Sequence, residues 1–134
     1  MTEMKDAQRP KRLALHALAL ADGRDRALLI ADIISDTPAR DTIVLDIHEL
    51  SPYADYFVIT AGENERQLRA ISRTLVEKMA ESGVTPHRSE GTAASGWMVL
   101  DFGEALVHIF SLDQRDFYRL EELWAEAPTL LAIQ

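Results

Sequence analysis

An α/β fold built on a single mixed sheet is what this sequence predicts, and three observations carry that prediction. Helical and strand-like hydrophobic periods alternate along a chain of 134 residues, a length that suits one domain. Two apolar stripes recur at helical spacing: Leu29, Ile30, Ile33 and Ile34, then Leu68, Ile71, Leu75, Val76 and Met79. Finally, the runs Trp97 to Phe102 and Ala105 to Ser111 are joined by Gly103-Glu104, the chemistry of a two-residue type II′ hairpin.

The elements follow in order. Residues 1 to 12 are polar and carry Lys5, Arg9, Lys11 and Arg12, which reads as a loose tail. Leu13, Leu15, Leu18 and Leu20 sit among alanines up to Gly23 and fit a short helix, so residues 1–24 form an N-terminal extension. An amphipathic helix runs from Asp25 and must stop near Pro38, which has no amide hydrogen to donate. Thr42 to Ile47 is a β-branched strand, Ser51-Pro52 is a turn, and Tyr56 to Ala61 is a second strand; both strands read as central. Asn64 caps the next helix with Gln67 three residues on, and Gly83 and Pro86 lie past its end. An edge strand over Pro86 to Glu90 and a loop of small residues from Gly91 to Gly96 lead into the hairpin. Asp113 is the expected cap of a last helix that points Phe117, Leu120 and Trp124 one way. Residues 125–134 read as a C-terminal tail, apolar enough to fold back, and residues 25–124 as the domain proper. The expected sheet has five strands packed by helices.

The hairpin turn fixes a register. With Gly103 and Glu104 as the loop, Phe102 faces Ala105, Leu100 faces Val107 and Met98 faces Ile109 on one side. On the other, Asp101 faces Leu106, Val99 faces His108 and Trp97 faces Phe110. The first set holds no polar side chain and belongs on the helices. The second is aromatic and apolar with Asp101 and His108 inset, the composition of a face that is half covered or kept for a partner.

Composition excludes several functions. Hydrophobic residues at 47% and charged residues at 27% describe a packed soluble domain. No apolar run approaches the roughly 18 residues needed to span a bilayer, and no secretory leader is apparent, so a cytoplasmic location without membrane contact is expected. With Cys at 0 there is no disulfide, thiolate metal site or cysteine nucleophile. The net charge of −8 opposes general binding to a phosphate backbone and favours a basic partner. The charge concentrates after residue 88, where eight acids stand against Arg115 and Arg119. His16, His48, His87 and His108 lack ligand spacing, and Ser51 and Ser111 lack a nucleophile elbow. Arg66, Arg69 and Arg73 form a stripe that pairs with Glu65 and Glu77 as a solvated face, which gives no basis for sequence-specific nucleic-acid reading. No catalytic residue, metal or cofactor is expected.

Seven segments together resemble a known family. They are Thr42-Ile-Val-Leu-Asp46, Ser51-Pro-Tyr-Ala-Asp-Tyr-Phe-Val-Ile59, Glu65-Arg-Gln67, Glu90-Gly91, Gly96-Trp-Met-Val-Leu-Asp-Phe-Gly103, Val107-His-Ile-Phe110 and Arg115-Asp-Phe-Tyr-Arg-Leu-Glu-Glu-Leu-Trp124. In that order they are similar to the ribosomal silencing factor (Iojap) family over residues 25–124. The resemblance implies a nucleotidyltransferase-like fold without its catalytic residues. It also implies a non-enzymatic module that binds the large ribosomal subunit through ribosomal protein fourteen, blocks joining to the small subunit under nutrient limitation, and forms a homodimer when free. The matching functional positions are Trp97 and its strand neighbours, with Asp101 and Gly103 beside them. The expected partner-binding residues are therefore Trp97, Val99, Asp101, Gly103, Leu106, His108 and Phe110. Two alternatives stay open. An enzyme would need an Asp-x-Asp pair for two metal ions, and none occurs, although Asp46, Asp55 and Asp101 could meet in space. A purely structural dimer would use the same aromatic face.

Overall fold

The computed structural model describes residues 23–134. The short helix expected over Leu13 to Leu20 lies outside these residues. Helix α1, Gly23–Ser35, turns its Ala27, Ile30, Ala31 and Ile34 wholly inward. It ends ahead of Pro38, where the Thr37 amide donates to Ile34 O over 2.9 Å and the Thr37 hydroxyl to the same oxygen over 2.6 Å. Strands β1 (Arg40–Asp46) and β2 (Tyr56–Gly62) follow, then helix α2, Glu65–Glu81. Asn64 caps α2 as expected: its Oδ1 accepts the Gln67 amide at 2.9 Å, while Gln67 Oε1 reaches back to the Glu63 amide at 2.8 Å. Leu68, Ile71, Leu75 and Met79 are buried at their helical spacing.

Strands β3 (Arg88–Thr92), β4 (Trp97–Asp101) and β5 (Ala105–Ser111) come next. A broken helical segment follows, α3 (Leu112–Tyr118) and α4 (Leu120–Leu123), and the chain closes with β6, Thr129–Ile133. The sheet has six strands in the order β3-β4-β5-β2-β1-β6. β2 and β5 run parallel and the other neighbours antiparallel, so the sheet is mixed, with α2 on the crossover that a parallel pair requires. The expected five strands are corrected to six because the stretch taken as a tail supplies β6, which pairs Val44 with Leu131 and Ile43 with Ala132. Thr129–Ile133 has no period-two alternation to reveal it, and its partner β1 lies far away in the sequence. β3 is an edge strand, as expected, shifted two residues from the expected Pro86 to Glu90.

Two cores sit on the two faces. Under α1 and α2 lie Val44 and Val58 together with Leu100, Phe102, Ala105, Val107 and Ile109, which with half-buried Met98 are the apolar set that the hairpin register assigned to the helices. Within this sheet the hydroxyls of Thr42 and Thr60 satisfy each other at 2.7 Å, a buried polar pair between β1 and β2. The opposite face holds Leu45, Ile47, Phe57, Ile59 and Phe110, covered by Leu120, Trp124 and Ala127 from the C-terminal segment. That cover decides how much of the second face is open.

Candidate partner-docking face

The hairpin pairs Trp97 with Phe110, Val99 with His108 and Asp101 with Leu106, the register expected from the Gly103-Glu104 turn. Gly103 has φ +91, a conformation an L side chain rarely adopts, and Asp101 Oδ1 accepts the Gly103 amide at 2.8 Å. The second Asp101 oxygen lies 3.8 Å from Arg88 Nε, so this acid serves its own turn and the neighbouring strand.

At the far end of the hairpin, the indole Nε1–H of Trp97 donates to His108 Nδ1 over 3.2 Å. That donor direction makes Nδ1 the bare nitrogen and leaves the ring proton on Nε2, which is buried and has no partner. Burial pulls the His108 pKa down to about 4, so the ring is neutral at physiological pH. Phe57 meets the imidazole edge-on at 4.6 Å, and Trp124 meets Phe57 edge-on at 5.3 Å.

Trp97 is the hinge between buried and open. Its ring lies 4.9 Å from buried Phe110 and 4.5 Å from half-exposed Tyr118, and Tyr118 in turn meets Phe117 edge-on at 5.0 Å. Phe117 is 75% exposed. The result is a row of rings rising from the core to solvent. Of the expected site residues, Trp97, Val99, Asp101, Gly103 and Leu106 keep partial exposure, whereas His108 and Phe110 lie beneath them in the second core.

The ring row gains Tyr118 and Phe117 from a helix whose geometry the sequence did not give away. Ser111, not Asp113, caps α3: its hydroxyl accepts the Gln114 amide at 3.2 Å. Arg119 then takes a left-handed conformation, φ +47, and breaks the helix after Tyr118. Continuous helical spacing would align Phe117 with Leu120 and Trp124. The break separates them, sending Leu120 inward and Phe117 to solvent. The Phe117-Tyr118 pair was the available signal, and only the kink gives it its meaning.

Two of the acids named for the rival metal site have other partners. Asp46 bonds His48, Asp101 bonds the Gly103 amide, and among the described residues no three His, Cys, Asp or Glu side chains converge to hold an ion. Acids that stand exposed around the C-terminal segment, including Asp116, Glu122 and Glu126, give this end a negative field.

Comparison with known proteins decides the family. Residues 21–134 match the family described as ribosomal silencing factor during starvation. The chain belongs to that family. It is 36% identical over 100 residues to the ribosomal silencing factor of Bacillus subtilis, covering 75% of this chain and 85% of that one. It is 32% identical over 99 residues to the mouse protein named mitochondrial assembly of ribosomal large subunit protein 1, over 72% of this chain and 43% of that one. The crystal structure of a Chromobacterium violaceum protein superposes with a TM-score of 0.74 at 28% identity, over 78% of this chain and 88% of its own. Ribosomal silencing factors are a non-enzymatic regulatory family. No helix among the described residues is long and apolar enough to cross a membrane.

Proposed function

We propose that this silencing factor docks on the large ribosomal subunit in the cytoplasm, through ribosomal protein fourteen, and hinders joining to the small subunit when nutrients are short. The ring row from Phe110 through Trp97 to Tyr118 and exposed Phe117 carries the reading. An aromatic anchor seated on a rigid base and ending in solvent is the arrangement from which binding hot spots are made. Surrounding acids steer it toward a basic surface, and the bulk of the domain acts by occupying space, with no turnover. The name of the mouse relative, which ties that protein to assembly of the large ribosomal subunit, supports the choice of subunit. On this reading a nucleotidyltransferase-like framework serves as scaffold, with Trp97, Val99, Asp101, Gly103 and Leu106 at the contact and His108 and Phe110 as its base.

Cosedimentation with isolated large subunits, followed by a subunit-joining assay, tests the proposal. Binding with reduced joining is expected; failure to cosediment overturns it. A second reading, a homodimer closed through the same face, is favoured by one observation, the high exposure of Phe117. Sedimentation velocity separates the two: a dimer that turns monomeric in Trp97→Ala, with no ribosome binding by either form, replaces docking with self-association.

A further inference from the structure

The aromatic row depends on a segment with little to hold it. α3 is seven residues long, and none of them is buried. α4 has four residues, and helices this short are not stable by themselves. Their junction, Arg119, is left-handed at φ +47. Across from it the start of β1 carries a second left-handed residue, Asp41 at φ +50, where the register with β2 slips between Arg40 and Ile43. One guanidinium reaches both places. Arg115 is on α3, yet only 12% of its side chain is exposed. Its Nε–H donates to Glu121 Oε1 on α4 over 3.1 Å, and its Nη1–H donates to the carbonyl oxygens of Arg40, at 3.4 Å, and Asp41.

We infer that Arg115 is a positioning residue for the docking face: by tying α3 to α4 and to the slipped end of β1, it fixes the kink that holds Tyr118 against Trp97. The functional half of this inference rests on the docking reading above; the latch itself rests on the geometry. The planar fork suits the task, because its donors leave in fixed, divergent directions toward one carboxylate and two carbonyls. A lysine at this position keeps the charge and loses the directions. Without the fork, two left-handed residues lose their common tie, and Tyr118 has no reason to remain 4.5 Å from the indole.

The test uses the full chain with Arg115→Met, Arg115→Lys and Tyr118→Ala. The first measurement is the NMR shift of the Trp97 indole proton, assigned with Trp97→Phe, because the Tyr118 ring, 4.5 Å from the indole, adds its ring current to those of Phe110 and His108. Arg115→Met and Arg115→Lys are expected to move that proton toward its position in Tyr118→Ala; an unmoved proton overturns the latch. The second is affinity for isolated large subunits. Arg115→Met is expected to weaken binding roughly tenfold alone and to add no further loss on top of Tyr118→Ala. Fully additive losses overturn the route through Tyr118. If the indole proton moves while Tyr118→Ala and Arg115→Met both bind like the parent, the docking reading fails and the latch stands. Should Arg115→Met not fold, Glu121→Gln, which weakens one arm of the fork, carries the same two measurements.

Discussion

The indole of Trp97 gives its only N–H to Nδ1 of His108, 3.2 Å away, and so fixes the tautomer of a buried imidazole whose other nitrogen has no partner. The pair explains how one ring can serve both the core and the surface. Trp97 can stay at the boundary because its polar edge is satisfied inward, leaving the ring free to meet Tyr118 on the open side.

That relationship sets a pH dependence. The His108 pKa is pulled by burial from the usual 6.5 to about 4, so between those values the unfolded chain takes up a proton that the folded chain refuses. Its contribution to stability is complete above the unfolded value and declines as pH falls toward the folded one, by about 3 kcal/mol in all. Urea unfolding of the parent and of His108→Leu checks this: the variant should gain roughly 2 kcal/mol on the parent between pH 7 and pH 5. A constant difference across that range means that His108 takes up its proton as readily in the fold as in the unfolded chain.

Two aromatic substitutions should separate binding from folding. Trp97→Ala removes a half-buried ring and orphans His108 Nδ1, so it should cost about 2 kcal/mol of stability as well as roughly thirtyfold in large-subunit affinity. Phe117→Ala is the cleaner probe. With that ring 75% exposed, stability should stay within about 0.5 kcal/mol while affinity still falls severalfold. Titration against isolated large subunits beside a thermal melt reads both; unchanged affinity in Phe117→Ala would remove this ring from the contact.

Legibility in the sequence followed the range of the interactions. The α2 cap, the hairpin register and the split between Leu100 and Val99 faces are local, set by residues within one turn or one two-residue loop, and the sequence declares them. What the C-terminal third does is set by distant partners. Arg119 turns left-handed beside a guanidinium that spans α4 and β1, and nothing within four residues announces a kink there. His108 and Phe110 alternate correctly onto the second face, yet the cover laid over them by Leu120 and Trp124 comes from beyond the hairpin. The face was therefore readable and its openness was not.

Charge on that face offers another measurement. Asp116 and Glu122 are exposed, and each pairs with Arg119, at 4.0 and 3.8 Å. Such exposed pairs add little to stability, so the acids remain available for long-range steering. Asp116→Asn with Glu122→Gln should leave the melting temperature nearly unchanged and slow association with large subunits, with a weaker dependence on salt than the parent. Stopped-flow association rates at two ionic strengths decide it; an unaltered salt slope assigns steering to other acids.

The last strand makes the sharpest structural claim. Thr129–Ile133 closes the sheet against β1, and the Asp46 amide already bonds Pro128 O at 2.9 Å as the chain enters the pairing. Leu130 and Leu131 pack on the helix-side core. Ending the chain after Pro128 removes that ladder and that burial together, at a cost of at least about 3 kcal/mol. It also bares the edge of β1 from Thr42 to Leu45, an apolar row of unpaired backbone groups with no charged side chain along it. The truncated protein should therefore unfold at clearly lower urea and aggregate on concentration, as followed by light scattering. If residues 129–134 were only an appendage, the midpoint would not move and the protein would stay dispersed.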